Sequence, residues 1–176
     1  ITDTLARNYI CLLFALQDPN LNIISGIFPI VLLQLCAYLE KYAEALIDDL
    51  ERGKIADWLT LEPELREQLQ QRLTSAPQRA RRLRQILQSE GRLLPKLAWP
   101  HLALLVTARG GPSDFYFEKF PEYFGDLPIF GGIYAASEAV IGVHRDFNTD
   151  GVILAVESNF FEFISADQWD QDRKSV

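Results

Sequence analysis

Apolar residues recur at helical spacing through the first half of the chain and gather into short unbroken runs in the second, so helices are expected first and strands later. Leu5, Leu12, Leu13 and Leu16 predict a helix capped by Thr2 or Asp3 and running to about Gln17. Asp18-Pro19-Asn20 ends it, because proline removes a donor and restricts the residue before it. Ser25 is expected to cap a long helix with Pro29 in its first turn, reaching Leu50 and terminated by Gly53. A third helix follows Thr60, with Pro63 in its first turn and Leu61, Leu65, Leu69 and Leu73 stacked at i, i+4. A fourth begins at Pro77 and stops near Gly91.

The later runs read as strands. Leu102 to Thr107 is continuous and apolar, as expected of a strand buried on both faces, and Arg109-Gly110-Gly111-Pro112 breaks it. Ser113 to Phe124 fits a short helix, and Leu127-Pro128-Ile129-Phe130 a second strand. Val152 to Val156, reached through the turn Thr149-Asp150-Gly151, and Phe160 to Ile164 are further strands. The fold class is therefore α/β: residues 1–96 mostly helical, then a strand–helix–strand unit and further strands over 97–166, then a loose acidic tail at 167–176. Two strands joined by a helix are normally parallel, and ligands bind beyond their carboxyl ends. That places Arg109–Pro112 and Tyr134–Glu138, both rich in small residues, on one edge of the sheet.

Composition narrows the function. With 17 Lys+Arg against 24 Asp+Glu the net charge is −7, which argues against nucleic acid as a partner. Two cysteines do not make a disulfide framework, and with no basic-then-apolar leader a cytoplasmic setting is expected. The chain lacks methionine and opens on Ile1, so a piece of something longer is expected. From Pro19 to Leu39 no residue is charged, but the continuous apolar part, Ile27 to Leu39, reaches only about 20 Å as a helix against a hydrocarbon core of about 30 Å, so no membrane span is expected.

The candidate chemistry lies in the two small-residue segments. Gly110-Gly111 lets backbone N–H groups approach phosphate or carboxylate oxygens, although a structural turn is the plainer explanation. Tyr134 offers a flat face for a heterocycle, Ala135 and Ala136 leave room, Ser137 can donate a hydrogen bond, and Glu138 can give oxygen ligands to magnesium. Taken singly, Tyr134 reads equally as a core aromatic and Glu138 as a solvated carboxylate.

In combination, Gly110-Gly111-Pro112 followed by Tyr134-Ala135-Ala136-Ser137-Glu138 resembles the middle of the adenylate-forming enzymes. The helix after Ser25-Gly26-Ile27-Phe28, the lead-in Leu97-Ala98-Trp99-Pro100 and Asn159-Phe160-Phe161-Glu162-Phe163-Ile164 make the chain similar to the acyl acid–amido synthetases of the plant auxin-responsive (Gretchen Hagen) family and their bacterial relatives, over residues 1–165. The resemblance implies part of the large N-terminal domain of an ATP- and Mg²⁺-dependent ligase. Such a ligase activates a small carboxylic acid as its acyl-adenylate and passes the acyl group to an amino acid. It implies that Tyr134, Ala135, Ala136, Ser137, Glu138, Gly110 and Gly111 border the nucleotide, that Glu138 holds the metal, and that Ile133 and Phe28 form the acid's wall. No catalytic residue is assigned. Ala139 stands where many members carry glycine, and Val140 and Ile141 where some plant members carry an aromatic, so the reaction class is implied and the acid is not. No Ser-Ser-Gly-Thr-like phosphate loop occurs, so one wall of an active site is expected, without amide-forming activity by this piece alone.

Other readings are weaker. Cys11, Cys36, His101 and His144 lack zinc-site spacing, and the two cysteines read as core thiols. His144 sits with Arg145 and Asp146 in what reads as a surface loop, a contact behind the motif being the alternative. No Gly-x-Ser-x-Gly elbow supports a hydrolase. Arg79, Arg81, Arg82 and Arg84 read as the wet face of a helix, offset by Glu62, Glu64 and Glu67. An acyl-CoA synthetase and a non-catalytic protein-interaction module remain the alternatives to the amide ligase.

Overall fold

The computed structural model describes residues 1–165 and Gln168. The expected acidic tail lies almost wholly outside these residues. Helix α1 (Thr4–Gln17) opens where Asp3 accepts the Ala6 N–H at 2.6 Å, and it closes at Asp18, whose carboxylate accepts the Asn20 N–H at 2.8 Å. Its apolar face, Tyr9, Leu12, Leu13 and Leu16, is buried against helices that follow.

The expected long helix from Ser25 to Leu50 is three elements. Ile23–Ser25 is a strand, β1, so Ser25 caps nothing and the turn before Pro29 starts at Phe28 without a side-chain cap. Helix α2 (Pro29–Lys41) is 13 residues long and stops at Tyr42, whose φ of −111° and ψ of 17° leave the helical range. Helix α3 (Ala43–Arg52) follows directly after it. An aromatic cluster holds the break: the Tyr42 ring stacks on Tyr38 and Trp58 and meets Tyr9 edge-on, with centroids 5.7–5.9 Å apart. Among the described residues no helix is long and apolar enough to cross a membrane.

Gly53 and Gly91 end α3 and α5 (Pro77–Glu90) in the left-handed region, as expected, and α4 (Pro63–Arg72) begins at its proline. The arginine-rich helix α5 pairs differently from expectation. Arg84 reaches Asp48 and Glu51 of α3 at 2.8 Å each, and Arg79 donates to the carbonyls of Leu16 and Ala98. The reason is packing: α5 lies along α3, not along the acidic face of α4. Trp99, after the short helix α6 (Pro95–Ala98), is buried and donates to Ala15 O at 3.2 Å.

Two small sheets complete the fold. β1, β2 (Leu104–Val106) and β3 (Ile129–Phe130) are parallel in the order β1-β2-β3, with Ile24 opposite Leu105 and Leu105 opposite Ile129. The strand–helix–strand unit is thus confirmed as parallel. Its connection is broken into a 3₁₀ turn at Gly111–Ser113 and two helical turns, α7 (Asp114–Phe117) and α8 (Phe120–Phe124), where one helix was expected. Pro121 in the first turn of α8 has no N–H with which to continue α7. The second sheet is antiparallel: β4 (Ile133–Ala135), β5 (Val140–His144) and β6 (Val152–Leu154). Two of its strands went unpredicted, and the expected strand at Phe160–Ile164 is absent. Among the described residues nothing pairs with that run, and Phe160 is 88% exposed.

The sheets are joined at Asn148. Its N–H donates to Ile129 O and its side-chain oxygen accepts the Ile129 N–H, both at 2.8 Å. Asn148 also holds a φ of 57°, a conformation asparagine tolerates better than most residues. Phe147 packs beside it on Phe130, with ring centroids 5.7 Å apart.

Candidate functional site

A hollow of about 410 Å³ opens where the parallel strands end and the second sheet begins. Phe28, Pro29 and Ile30 from the start of α2 form one wall. Ala108, Arg109 and Gly110, just past β2, form a second, with Ser113 and Tyr116 above them. Gly131, with Ile133, Tyr134 and Ala135 of β4 and His144 of β5, closes the remaining side.

Of the expected site residues, Phe28, Gly110, Ile133, Tyr134 and Ala135 therefore meet in one cavity. Tyr134 and Ala135 do so as strand residues, paired with Gly142 and Val140 across a bulge, rather than as the expected loop at the sheet edge. Gly111, Ala136, Ser137 and Glu138 lie outside its lining. Ala136–Ala139 form a turn closed by the Ala136 N–H on Ala139 O at 2.9 Å, and Ser137 and Glu138 stand exposed on it.

The glycine pair is needed for its backbone. Gly110 and Gly111 have φ of 90° and 59°, while a Cβ at either would meet nothing within 4 Å. Conformation, not crowding, selects glycine here. Among the described residues that line the hollow, Arg109 carries the one formal charge. It is held by Asp150 at 3.2 Å, and its guanidinium lies 4.8 Å from the Phe117 ring centre.

For a metal, the donor set is narrow. Among the described residues no three His, Cys, Asp or Glu side chains cluster, and Glu138 enters no ion pair. A single exposed carboxylate fits an ion of the magnesium type, which takes one or two carboxylates and fills its remaining positions with phosphate oxygens and water. It does not fit a site built from protein ligands alone.

Sequence reasoning missed Ser113 and Tyr116; it placed Arg109 on the sheet edge without giving it a role, and it held a contact by His144 behind the motif only as the alternative to a surface loop. His144 is no surface loop: it ends β5, is 4% exposed, and meets the Tyr134 ring edge-on at 6.2 Å. The available signal was Gly131, where any side chain would run into the imidazole. The cysteines sit elsewhere, lining an apolar cavity of about 200 Å³ beside α1 and α2. Cys36 is a core thiol pushed up in pKa by burial and then by Glu40. Cys11 is exposed, against expectation, though burial still raises its thiol.

The model of the GH3 family N-terminal domain matches residues 1–129. A probable indole-3-acetic acid-amido synthetase GH3.12 of Oryza sativa subsp. japonica is 32% identical over 76 residues, 41% of this chain and 12% of that protein. The indole-3-acetic acid-amido synthetase GH3.8 of Oryza sativa subsp. indica is 25% identical over 150 residues, 82% of this chain and 25% of that protein. Among solved structures, the GH3.15 acyl acid amido synthetase superposes with a TM-score of 0.69 at 24% identity, covering 81% of this chain and 26% of that one. The AtGH3.15 acyl acid amido synthetase in complex with 2,4-DB gives 0.70 at 24% identity, over 81% of this chain and 25% of that one. The chain thus spans about a quarter or less of the length of these relatives. With most of its length matched by the family model and the same fold in the solved synthetases, the chain belongs to the GH3 family.

Proposed function

We propose that residues 1–166 are part of an adenylate-forming domain whose complete protein activates a carboxylic acid with ATP and joins it to an amino acid. In the first step a carboxylate oxygen attacks the α-phosphorus of ATP, and the bond to the β-phosphate breaks to release pyrophosphate. In the second, the amine attacks the acyl carbon and AMP leaves, the amine giving up a proton as the amide forms. The observation that carries this reading is the single hollow that joins Phe28 and Ile133 to Gly110, Tyr134 and Ala135 in a GH3-family chain. The relatives' names, indole-3-acetic acid-amido synthetase and acyl acid amido synthetase, support an acid as the occupant.

In this assignment the apolar surfaces of Phe28, Pro29, Ile30 and Ile133 take the body of the acid, where burial of its hydrocarbon drives binding. The exposed face of Tyr134 and the small side chains at Ala135 and Ala136 border the adenine side, and the left-handed backbone at Gly110-Gly111 keeps that rim free of Cβ atoms. Ser137 and Glu138, exposed on the turn that follows β4, are assigned to the nucleotide side. Magnesium, when bound, neutralises phosphate charge, and Glu138 is its one ligand from the described residues. The chain supplies one wall of the site and by itself forms no amide.

The test is ATP–pyrophosphate exchange by the complete protein across a panel of carboxylic acids. Exchange with at least one acid is expected, and Glu138→Ala should lower it at limiting magnesium by about tenfold or more without loss of folded protein. No exchange with any acid overturns the adenylation reading, and unchanged magnesium dependence removes Glu138 from the site.

A further inference from the structure

A carboxylate that attacks the α-phosphorus of ATP must itself lie at the nucleotide rim, and Arg109 is joined directly to Gly110 of that rim. The Arg109 side chain is 11% exposed, yet among the described residues only one of its five N–H groups is bonded, Nε donating to Asp150 at 3.2 Å. A cation so nearly buried is seldom left with so few partners. The two Nη groups are not among the closed-off atoms without a partner, which are Thr107 Oγ1 and His144 Nδ1, so they stay within reach of solvent. The guanidinium is also fixed in place. Phe117 covers one flat face, its ring centre 4.8 Å away, and Asp150 holds the Nε side. Neither of these two residues lines the hollow, whereas Arg109 does. What they leave to the hollow is the far end of the fork, where the two Nη groups lie in one plane.

We propose that Arg109 binds the carboxylate of the acid through its two Nη groups and so positions the attacking oxygen at the nucleotide rim. The inference rests on the reading of this hollow as the site of adenylation. Two parallel N–H donors match the two oxygens of a carboxylate, and opposite charge strengthens each bond. A carboxylate oxygen that accepts one such bond keeps a lone pair for the attack. The bond to Asp150 does not compete, because it is on Nε and leaves both Nη groups unused. No Asp or Glu is among the described residues that line the hollow, so its lining holds nothing that repels an anion. Phe117 and Asp150 restrain the guanidinium before the acid arrives, which lowers the entropy cost of binding it. Phe28, Pro29, Ile30 and Ile133 are apolar and do not tell an acid from a neutral molecule of the same shape. Arg109 does.

The test is calorimetric binding to the complete protein, without ATP, of benzoate, phenylacetate and indole-3-acetate, each beside its neutral primary amide. For the tightest-bound acid, binding is expected to be about tenfold or more tighter than that of its amide. Arg109→Met, which keeps an unbranched side chain against Phe117, should bring that ratio to within about twofold of one and leave amide binding within about twofold of the parent. An arginine that served structure alone would weaken acid and amide together. Should Arg109→Met fail to fold, Arg109→Lys, which keeps the charge and loses the fork, should lower the ratio about threefold or more. A second arm measures ATP binding without acid, which the same variant should leave within about twofold of the parent. Weaker ATP binding with the acid-to-amide ratio unchanged would give the guanidinium to the phosphates and overturn the inference. Binding of none of the acids, equal binding of acid and amide by the parent, or a ratio that survives the substitution overturns it too. Because the acid arm leaves ATP out, a ratio that depends on Arg109 without pyrophosphate exchange would sink adenylation alone. Exchange with a ratio indifferent to Arg109 would sink this inference alone.

Discussion

At the scale of single residues, the most informative charge lies far from the hollow. Asp49, 8% exposed on α3, accepts the Tyr9 hydroxyl at 2.8 Å and the Ala56 N–H at 2.9 Å. Burial raises its carboxyl above the usual range, more than the bonds from Tyr9 and Ala56 and the charge of Arg52 lower it. Burial likewise pushes the Tyr9 hydroxyl up, its bond to Asp49 adding to the effect. The folded chain thus binds the Asp49 proton more tightly than the unfolded chain does. Between the unfolded value of about 3.9 and the raised folded one, the native state carries more protons, so this group's contribution to stability falls as pH rises through that window. Asp49→Asn keeps an oxygen that accepts both bonds and removes the charge. Relative to the parent, its thermal midpoint should be higher at pH 7 than at pH 3.5. A mutant-minus-parent difference that is flat with pH, or larger in acid, would refute this account of Asp49.

At the scale of elements, the two terminating glycines do different physical work. Gly53 has φ 65° and Gly91 φ 71°, so alanine is strained at both. A Cβ at Gly91 meets nothing within 4 Å, whereas one at Gly53 lies 2.6 Å from the Ser75 backbone nitrogen. Gly91→Ala should therefore cost about 1 kcal/mol, the conformational strain alone. Gly53→Ala should cost about 2 kcal/mol or more, because the segment before α5 must also shift. Denaturation midpoints of the complete protein decide it, and equal losses would mean the Ser75 contact yields freely. The same elements show what was legible beforehand. Proline at a first helical turn and glycine at a last one act through their own backbones, so Gly53 marked the end of α3, Pro63 the start of α4, and Pro77 and Gly91 the two ends of α5 without tertiary context. The three-residue strands β1 and β4 have no such local cause; they exist because β2 and β5 lie alongside. The break at Tyr42 depends on Trp58 and Tyr9, distant in sequence, and so escaped a reading by period. The burial of His144 was not legible for the same reason, since what makes room for its ring is the absence of a side chain at Gly131.

At the scale of the molecule, the hollow depends on two sheets keeping their relative position, for its walls come from both. Local pairing does not hold them: β3 and β4 are adjacent in the chain yet belong to different ladders, with Gly131 and Gly132 between them. One cross-link, beside the Arg109–Asp150 pair and the Phe147–Phe130 packing, is Asn148, whose two 2.8 Å bonds with Ile129 tie the loop after β5 to the edge strand of the parallel sheet. Both partners are backbone groups of a residue 8% exposed, so losing the side-chain bond leaves the Ile129 N–H stranded, at a cost of about 1–3 kcal/mol. Asn148→Ala removes that bond and strains the φ of 57°, and Asn148→Gly removes the bond but relieves the strain. Asn148→Asp keeps an acceptor and a residue type tolerant of the left-handed region. In the complete protein, KM for the acid in pyrophosphate exchange should rise severalfold in Asn148→Ala and Asn148→Gly and stay within about twofold in Asn148→Asp. If glycine alone restored the parent KM, strain would be the governing quantity. If all three variants matched the parent, the sheets would be held together by something other than this joint.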